Sequence, residues 1–215
     1  LRCAVIFAHG EHFTAGLDLV ELQPKLTAGV FDFPTTQINP WGTSSRPRTK
    51  PVVVAVQGFC FTAGIELMLN ADVVIADANT QFAQMEVQRG ILPFGGATVR
   101  FVQAAGWNKA MRYLLTGDSF NAQVALDLNL ITEVVEASTQ NAALERALAL
   151  AESIAQAAPL AVQATLASAQ QAVQHGADYA FAHLQEHLSP LLKTQDVQEG
   201  VMAMLQRRPA QFKGQ

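Results

Sequence analysis

The segment that most constrains this chain is Pro51-Val52-Val53-Val54-Ala55-Val56-Gln57, an unbroken β-branched run stopped by Gly58. Continuous rather than alternating apolar character fits a strand covered on both faces. A second run of the same kind, Val73-Val74-Ile75-Ala76, comes after a segment, residues 63–70, that reads as a helix. The chain is therefore expected to alternate strand and helix around buried strands, an α/β organisation.

The remaining pattern extends this reading. Residues 5–8 read as a strand that begins with no turn or cap before it, so we expect earlier residues to precede Leu1. Residues 10–16 form a small-residue turn into a short helix at 18–22. Residues 27–50 carry Gly29, Pro34, Pro40, Gly42 and Pro47 and read as a long irregular connection, of the kind usually tied to function. After the second strand comes a short extended piece at Gln81-Phe82. A loop punctuated by Gly90, Pro93, Gly95 and Gly96 then leads into a helix from about 97 to 105. Asn121 is placed to cap another short helix, and residues 131–135 read as a last strand. From Asn141 onward the pattern is helical, which divides the chain into a core, 1–138, and a helical appendage, 139–215.

Composition narrows the function classes. Half of the 215 residues are apolar and 15% are charged, enough to bury a sizeable core. A net charge of -4 argues against a nucleic-acid partner. No apolar run approaches the roughly 20 residues needed to span a bilayer, so no membrane partner is expected. The two cysteines, Cys3 and Cys60, form no CxxC motif and point to a reducing, cytoplasmic setting.

Two stretches share one design, a strand leading through a small-residue turn that opens a helix. They are Phe13-Thr14-Ala15-Gly16-Leu17-Asp18 and Gly58-Phe59-Cys60-Phe61-Thr62-Ala63-Gly64-Ile65-Glu66. Small residues admit a ligand to the backbone, and the first amides of a helix are unpaired. Two such turns facing one point would form an oxyanion hole of two backbone donors. Spacing alone does not bring them together.

These two stretches and six further elements, taken in order, resemble the enoyl-CoA hydratase (crotonase) family. The matching elements are Phe13 to Asp18, Lys50 to Gly58, Ala63 to Leu67, Ala71 to Ala76, Gln81 to Glu86, Gly90 to Pro93, Leu115 to Asp118, and the tail Arg208-Pro209-Ala210-Gln211-Phe212-Lys213. The resemblance runs from about Cys3 to Lys213. It implies a crotonase-like fold of repeated β-β-α units with a C-terminal helical appendage that forms trimers, often paired into hexamers. The substrate it implies is an acyl-CoA thioester, with no metal and no redox cofactor; the CoA belongs to the substrate.

By the same resemblance, the amides of Leu17 and Ala63 hold the thioester carbonyl, where preorganised donors lower a barrier by about 3–4 kcal/mol each. Glu66 and Glu86 are the implied acid/base pair: Glu86 protonates the α-carbon, and Glu66 acts with it on water. Two carboxyl groups in one apolar pocket hold different protonation states because desolvation and mutual repulsion separate them. The backbone of Ala15 is implied beside the CoA adenine, and Lys213 near the CoA phosphates. Asp18 is expected to tie down the first turn, and Asp118 to stabilise another. The chain departs from the family at Thr62-Ala63-Gly64, where a glycine-rich run is usual. The added methyl of Ala63 either narrows the pocket or demands a less unusual backbone there.

Other motifs carry less. His183-Leu184-Gln185-Glu186-His187 spells the inverted zinc-protease motif, but a catalytic metal needs a third protein ligand. Gly90 to Gly96 lacks the Lys-Ser/Thr ending of a phosphate loop, and no G-x-S-x-G exists. The expected reaction is hydration of a trans-2-enoyl-CoA. Double-bond isomerisation by the same enolate chemistry, or a non-catalytic scaffold on the same fold, are the rivals.

Overall fold

The computed structural model describes residues 1–29, 36–44, 46–136, 139 and 141–215. Part of the irregular connection read at 27–50, and the boundary read at 138, lie outside the described residues. The chain divides into two compact units. One comprises Val5–Arg48 and Val52–Leu148, the other Leu1–Ala4, Thr49–Pro51 and Ala149–Gln215.

The expected buried runs form the first sheet. Strands β1 (Ala4–Ile6), β2 (Val52–Val56), β4 (Val73–Asp77) and β7 (Glu133–Val135) line up in the order β1-β2-β4-β7. β2 runs parallel to β4, with Val54 opposite Val74, and β4 runs parallel to β7. Val53, Val54 and Val56 are fully buried, which is why that run has no polar alternation.

A second sheet was not legible as such. Phe59-Cys60-Phe61, expected from the sequence to belong to a turn, is strand β3 (Phe59–Phe61) and pairs in parallel with β5 (Gln81–Ala83). β5 also pairs antiparallel with β6 (Phe120–Asn121). Strands of two or three residues carry too little periodicity to be told from turns. What fixes them is their partner, about twenty residues away or more.

Helix α1 (Leu19–Thr27) is longer than expected and is capped by Asp18, whose Oδ1 accepts the amides of Val20 at 3.0 Å and Glu21 at 3.2 Å. Helix α2 (Ala63–Met68) leaves β3 directly, and α3 (Ala97–Ala105) lies as read. Helix α4 (Trp107–Leu114) was missed; it is set off from α3 by Gly106 at φ 77° and buries Ala110 and Leu114. Asn121 caps α5 (Ala122–Asp127) through Oδ1, which accepts the Val124 amide at 2.9 Å. Ile65, Met68, Phe82 and Phe101 are fully buried in this unit, and Phe82 stacks on Phe120 at 5.6 Å. Each such side chain contributes about 1.5–3 kcal/mol.

Helix α6 (Ala142–Gln156) begins in the first unit and ends in the second, which also holds α7 (Pro159–His175), α8 (Ala177–Leu191) and α9 (Gln195–Gln206). His187 of α8 bonds Gln171 of α7 at 2.9 Å. The tail is tied to α9: the buried Asp196 carboxylate accepts the amides of Lys213 at 2.7 Å and Gly214 at 2.8 Å. On α8, Phe181 is 73% exposed and Leu184 50%. Among the described residues no single helix is long and apolar enough to cross a membrane.

Candidate active site

Strand pairing explains how the two turns meet. Thr14 forms an isolated parallel bridge with Cys60. The Thr14 amide donates to the Phe59 carbonyl at 2.9 Å, and the Phe61 amide to the Thr14 carbonyl at 3.0 Å. The two segments leave that bridge in the same direction, and Leu17 and Ala63 each lie three residues beyond it.

The same logic applies to the carboxylates. β3 and β5 are parallel, with Phe61 opposite Ala83, and the Thr62 amide donates to the Ala83 carbonyl at 2.9 Å. Glu66 lies five residues past Phe61, and Glu86 three past Ala83, so one sheet end delivers both. Ala15, Leu17, Thr62, Ala63, Glu66 and Glu86 line a single cavity of about 340 Å³. A neighbouring cavity of about 540 Å³ shares Leu17, Ala63 and Glu66 and adds Asn39, Trp41 and Thr43. Glu66 thus borders both, while Glu86 faces only the first.

The two glutamates are held differently. Glu66 is 2% exposed, and its Oε1 accepts the amides of Gly95 at 2.7 Å and Ala97 at 3.1 Å. Those donors open α3, a place that favours negative charge. Burial pushes the Glu66 carboxyl up, against the pull of the Ala97 and Gly95 amides and of the Arg100 guanidinium. Glu86, 6% exposed, opens a short 3-10 turn, Glu86–Arg89. Its Oε1 accepts from Gln84 Nε2 at 2.8 Å, while its Oε2 is buried without a hydrogen-bond partner. Burial raises the Glu86 carboxyl to about 7; its own backbone amide and Gln84 pull it down, and the neighbouring Glu66 pushes it further up. One cavity therefore carries a carboxyl that holds its proton near neutrality and a second anchored by backbone donors.

Several supporting residues carried no sequence signal of their own. Trp41 Nε1 donates to the Ala63 carbonyl at 2.9 Å. Arg100 donates to the Trp41 carbonyl at 2.7 Å and to that of Gly42 at 3.0 Å, clasping this loop to α3. Gly95, read only as loop punctuation, sits so close to Glu66 that a Cβ there would lie 2.6 Å from Oε2. Gln84 could have been suspected only as a polar residue two before Glu86.

Other positions named from sequence do not line these two cavities. Lys213 is exposed, and its backbone amide is held by Asp196. Asp118 pairs with Arg112 at 2.6 Å. His183 Nδ1 bonds the Tyr179 carbonyl at 2.8 Å. Among the described residues there is no cluster of three His, Cys, Asp or Glu able to hold a metal. Ala63 itself lies in α2 and is not among the residues of positive φ; the unusual backbone stands one residue earlier, at Thr62, with φ 50° and ψ -113°.

A family model described as enoyl-CoA hydratase/isomerase matches residues 1–215. The 2,3-dehydroadipyl-CoA hydratase of Escherichia coli (strain K12) is 34% identical, covering 100% of this chain and 82% of its own length. Mevalonyl-coenzyme A hydratase of Aspergillus fumigatus is 30% identical, over 99% of this chain and 78% of that protein. Among solved structures, a protein described as a probable enoyl-CoA hydratase/isomerase from Mycobacterium abscessus superposes with a TM-score of 0.95 at 45% identity. The match covers 100% of this chain and 82% of the other. An enoyl-CoA hydratase from Mycobacterium tuberculosis H37Rv gives 0.83 at 32% identity, with the same coverage.

Proposed function

The chain belongs to the enoyl-CoA hydratase/isomerase family, and from that premise we propose that it adds water reversibly to a trans-2-enoyl-CoA. The observation that carries this reading is the pair of buried carboxyl groups, Glu66 and Glu86, on the cavity that Leu17 and Ala63 also line. Relatives named as hydratases of CoA thioesters support it.

The chemistry grows out of the arrangement. Adding water to the β-carbon pushes charge onto the thioester oxygen, and the Leu17 and Ala63 amides are the donors assigned to receive it. The Ala63, Gly64 and Ile65 amides precede the first turn bond of α2, which runs from Glu66 N–H to the Thr62 carbonyl at 3.2 Å. Glu66, with Oε1 occupied by two amides, is fixed in orientation, and its Oε2 is the oxygen assigned to orient water and take the proton water loses as it adds. Glu86, raised to about 7, retains a proton to deliver to the α-carbon. In the reverse direction the same group, deprotonated, removes it.

The larger neighbouring cavity, walled by Trp41, is assigned to the acyl chain. Ala15 is assigned to the CoA adenine side and Lys213 to the CoA phosphates. A homotrimer, or a hexamer of two trimers, is part of the proposal; the exposed apolar row on α8 supports it. The test is direct: crotonyl-CoA offered to the purified protein loses its enoyl absorbance as water adds. No turnover across a panel of enoyl-CoA lengths overturns the reading.

A further inference from the structure

Thr62 sits where a threonine is least at home. Its φ of 50° and ψ of -113° belong to a region that glycine visits freely and that a β-branched residue rarely adopts. Such a conformation is retained where the surrounding structure enforces it, commonly at functional sites.

The side chain also forgoes its ordinary use. A threonine just before a helix usually caps it by accepting an amide of the first turn. Thr62 makes no such bond, and no described residue is hydrogen-bonded to its hydroxyl. The hydroxyl is instead turned toward the first turn of the site: a Cβ on Gly16 would collide with Thr62 Oγ1. It is thus lodged against the residue preceding Leu17, and it is borne by the residue preceding Ala63. Thr62 lines the cavity that holds both glutamates. Its other donor, the backbone amide, is committed to the Ala83 carbonyl at 2.9 Å. The nearby Thr14 hydroxyl is occupied as well, accepting the Gly16 amide at 3.1 Å.

We propose that the Thr62 hydroxyl is a third donor to the thioester carbonyl, placed between the amides of Leu17 and Ala63. This rests on the hydratase reading and adds to it a catalytic residue supplied by a side chain rather than by the backbone. A hydroxyl donor in a mostly apolar cavity strengthens as charge develops on the oxygen, so its effect falls on turnover more than on binding. The backbone conformation at Thr62 is what keeps the hydroxyl off the helix and on the ligand.

The experiment compares wild type with Thr62→Val, Thr62→Ser and Thr62→Gly, each checked by thermal melting. Infrared difference spectra of bound butyryl-CoA, labelled with ¹³C at the thioester carbonyl, report polarisation of that bond directly. We expect the carbonyl band in wild type to lie below that of free ligand. Thr62→Val should return part of that shift and lower kcat for crotonyl-CoA hydration on the order of tenfold, with KM little changed. Thr62→Ser should resemble wild type in both readouts. Thr62→Gly should melt at or above wild type, the strain being relieved, yet share the kcat loss of Thr62→Val. A shifted band in wild type that Thr62→Val keeps, or full kcat in Thr62→Gly, overturns the hydroxyl's role and leaves the hydratase reading standing. Wild type that binds butyryl-CoA with an unshifted band, or does not bind it, overturns the oxyanion site and this proposal together.

Discussion

Glu66 and Glu86 border the same cavity with unlike support: Glu66 Oε1 takes two backbone amides, whereas Glu86 leaves Oε2 buried and unpaired. The difference separates an oriented acceptor from a group that keeps its proton. The roles proposed for the pair rest on this difference, and each is open to measurement.

Glu66→Gln preserves shape while removing the carboxylate. Hydration kcat is expected to fall on the order of 10²–10⁴, with KM changed little. Steady-state kinetics with crotonyl-CoA check this. If the native reaction is isomerisation, Glu66→Gln keeps much of its activity, whereas Glu86→Gln abolishes it.

The raised Glu86 carboxyl sets a pH limb common to the two directions. Hydration requires Glu86 in its acid form, so kcat/KM should fall as pH rises through about 7; dehydration, whose ratio to hydration is fixed by a pH-independent equilibrium, should fall with it. Stability tracks the same proton. Because the folded state holds it more tightly than the unfolded chain, Glu86 contributes stability at low pH that is lost as pH rises from the ordinary carboxylate range through about 7. Glu86→Gln should flatten that loss, on the order of 3 kcal/mol at about 1.4 kcal/mol per pKa unit. Denaturant melts at pH 5 and pH 8 decide it.

Gly95→Ala places a methyl 2.6 Å from Glu66 Oε2 and 2.9 Å from Trp41 Cδ1. It should displace the carboxylate and lower kcat at least about tenfold, since small misplacements of a catalytic group are costly. The fold should survive, with a melting temperature within a few degrees of wild type. Wild-type kcat in this variant would show that Glu66 need not sit where Gly95 admits it.

Trp41→Phe keeps an aromatic ring and removes the Nε1 donor to the Ala63 carbonyl, a bond worth about 1 kcal/mol. A severalfold loss of kcat/KM is expected for every acyl length. Trp41→Ala should also open the larger cavity and shift preference toward longer acyl chains, read from a chain-length series.

Paired charges on the exposed row of α8, Phe181→Glu with Leu184→Glu, should convert the proposed oligomer to monomer in sedimentation experiments. The apolar surface there, 73% and 50% exposed at those two residues, is what association would cover. A wild-type monomer at micromolar concentration would remove the trimer from the proposal.

The buried strands were legible in the order of residues alone, because a run such as Val52 to Val56 has few alternatives to a doubly covered strand. The same order also determined the family, through ordered motifs, and with it the identity of Glu66, Glu86, Leu17 and Ala63 as site candidates. Asn121 was legible as a local cap because a cap is set by residues within one turn; Asp18, expected to tie down the first turn, is seen to cap α1. The short strands β3 and β6 and their pairing with β5, the holding of Glu66 by Gly95 and Ala97, and the bracing of Ala63 by Trp41 were not legible. Each depends on a partner about twenty to forty residues away, and no local periodicity encodes such a pairing. The protonation difference between the two glutamates is likewise tertiary, since desolvation and the partners of each oxygen exist only once the cavity has closed around them. Thr62 shows the division most clearly: the sequence says only that a threonine stands in a customarily glycine-rich run. The fold decides that its backbone takes a glycine's conformation and that its hydroxyl turns toward Gly16, because the bridge from Thr14 to Cys60 constrains the path between β3 and α2.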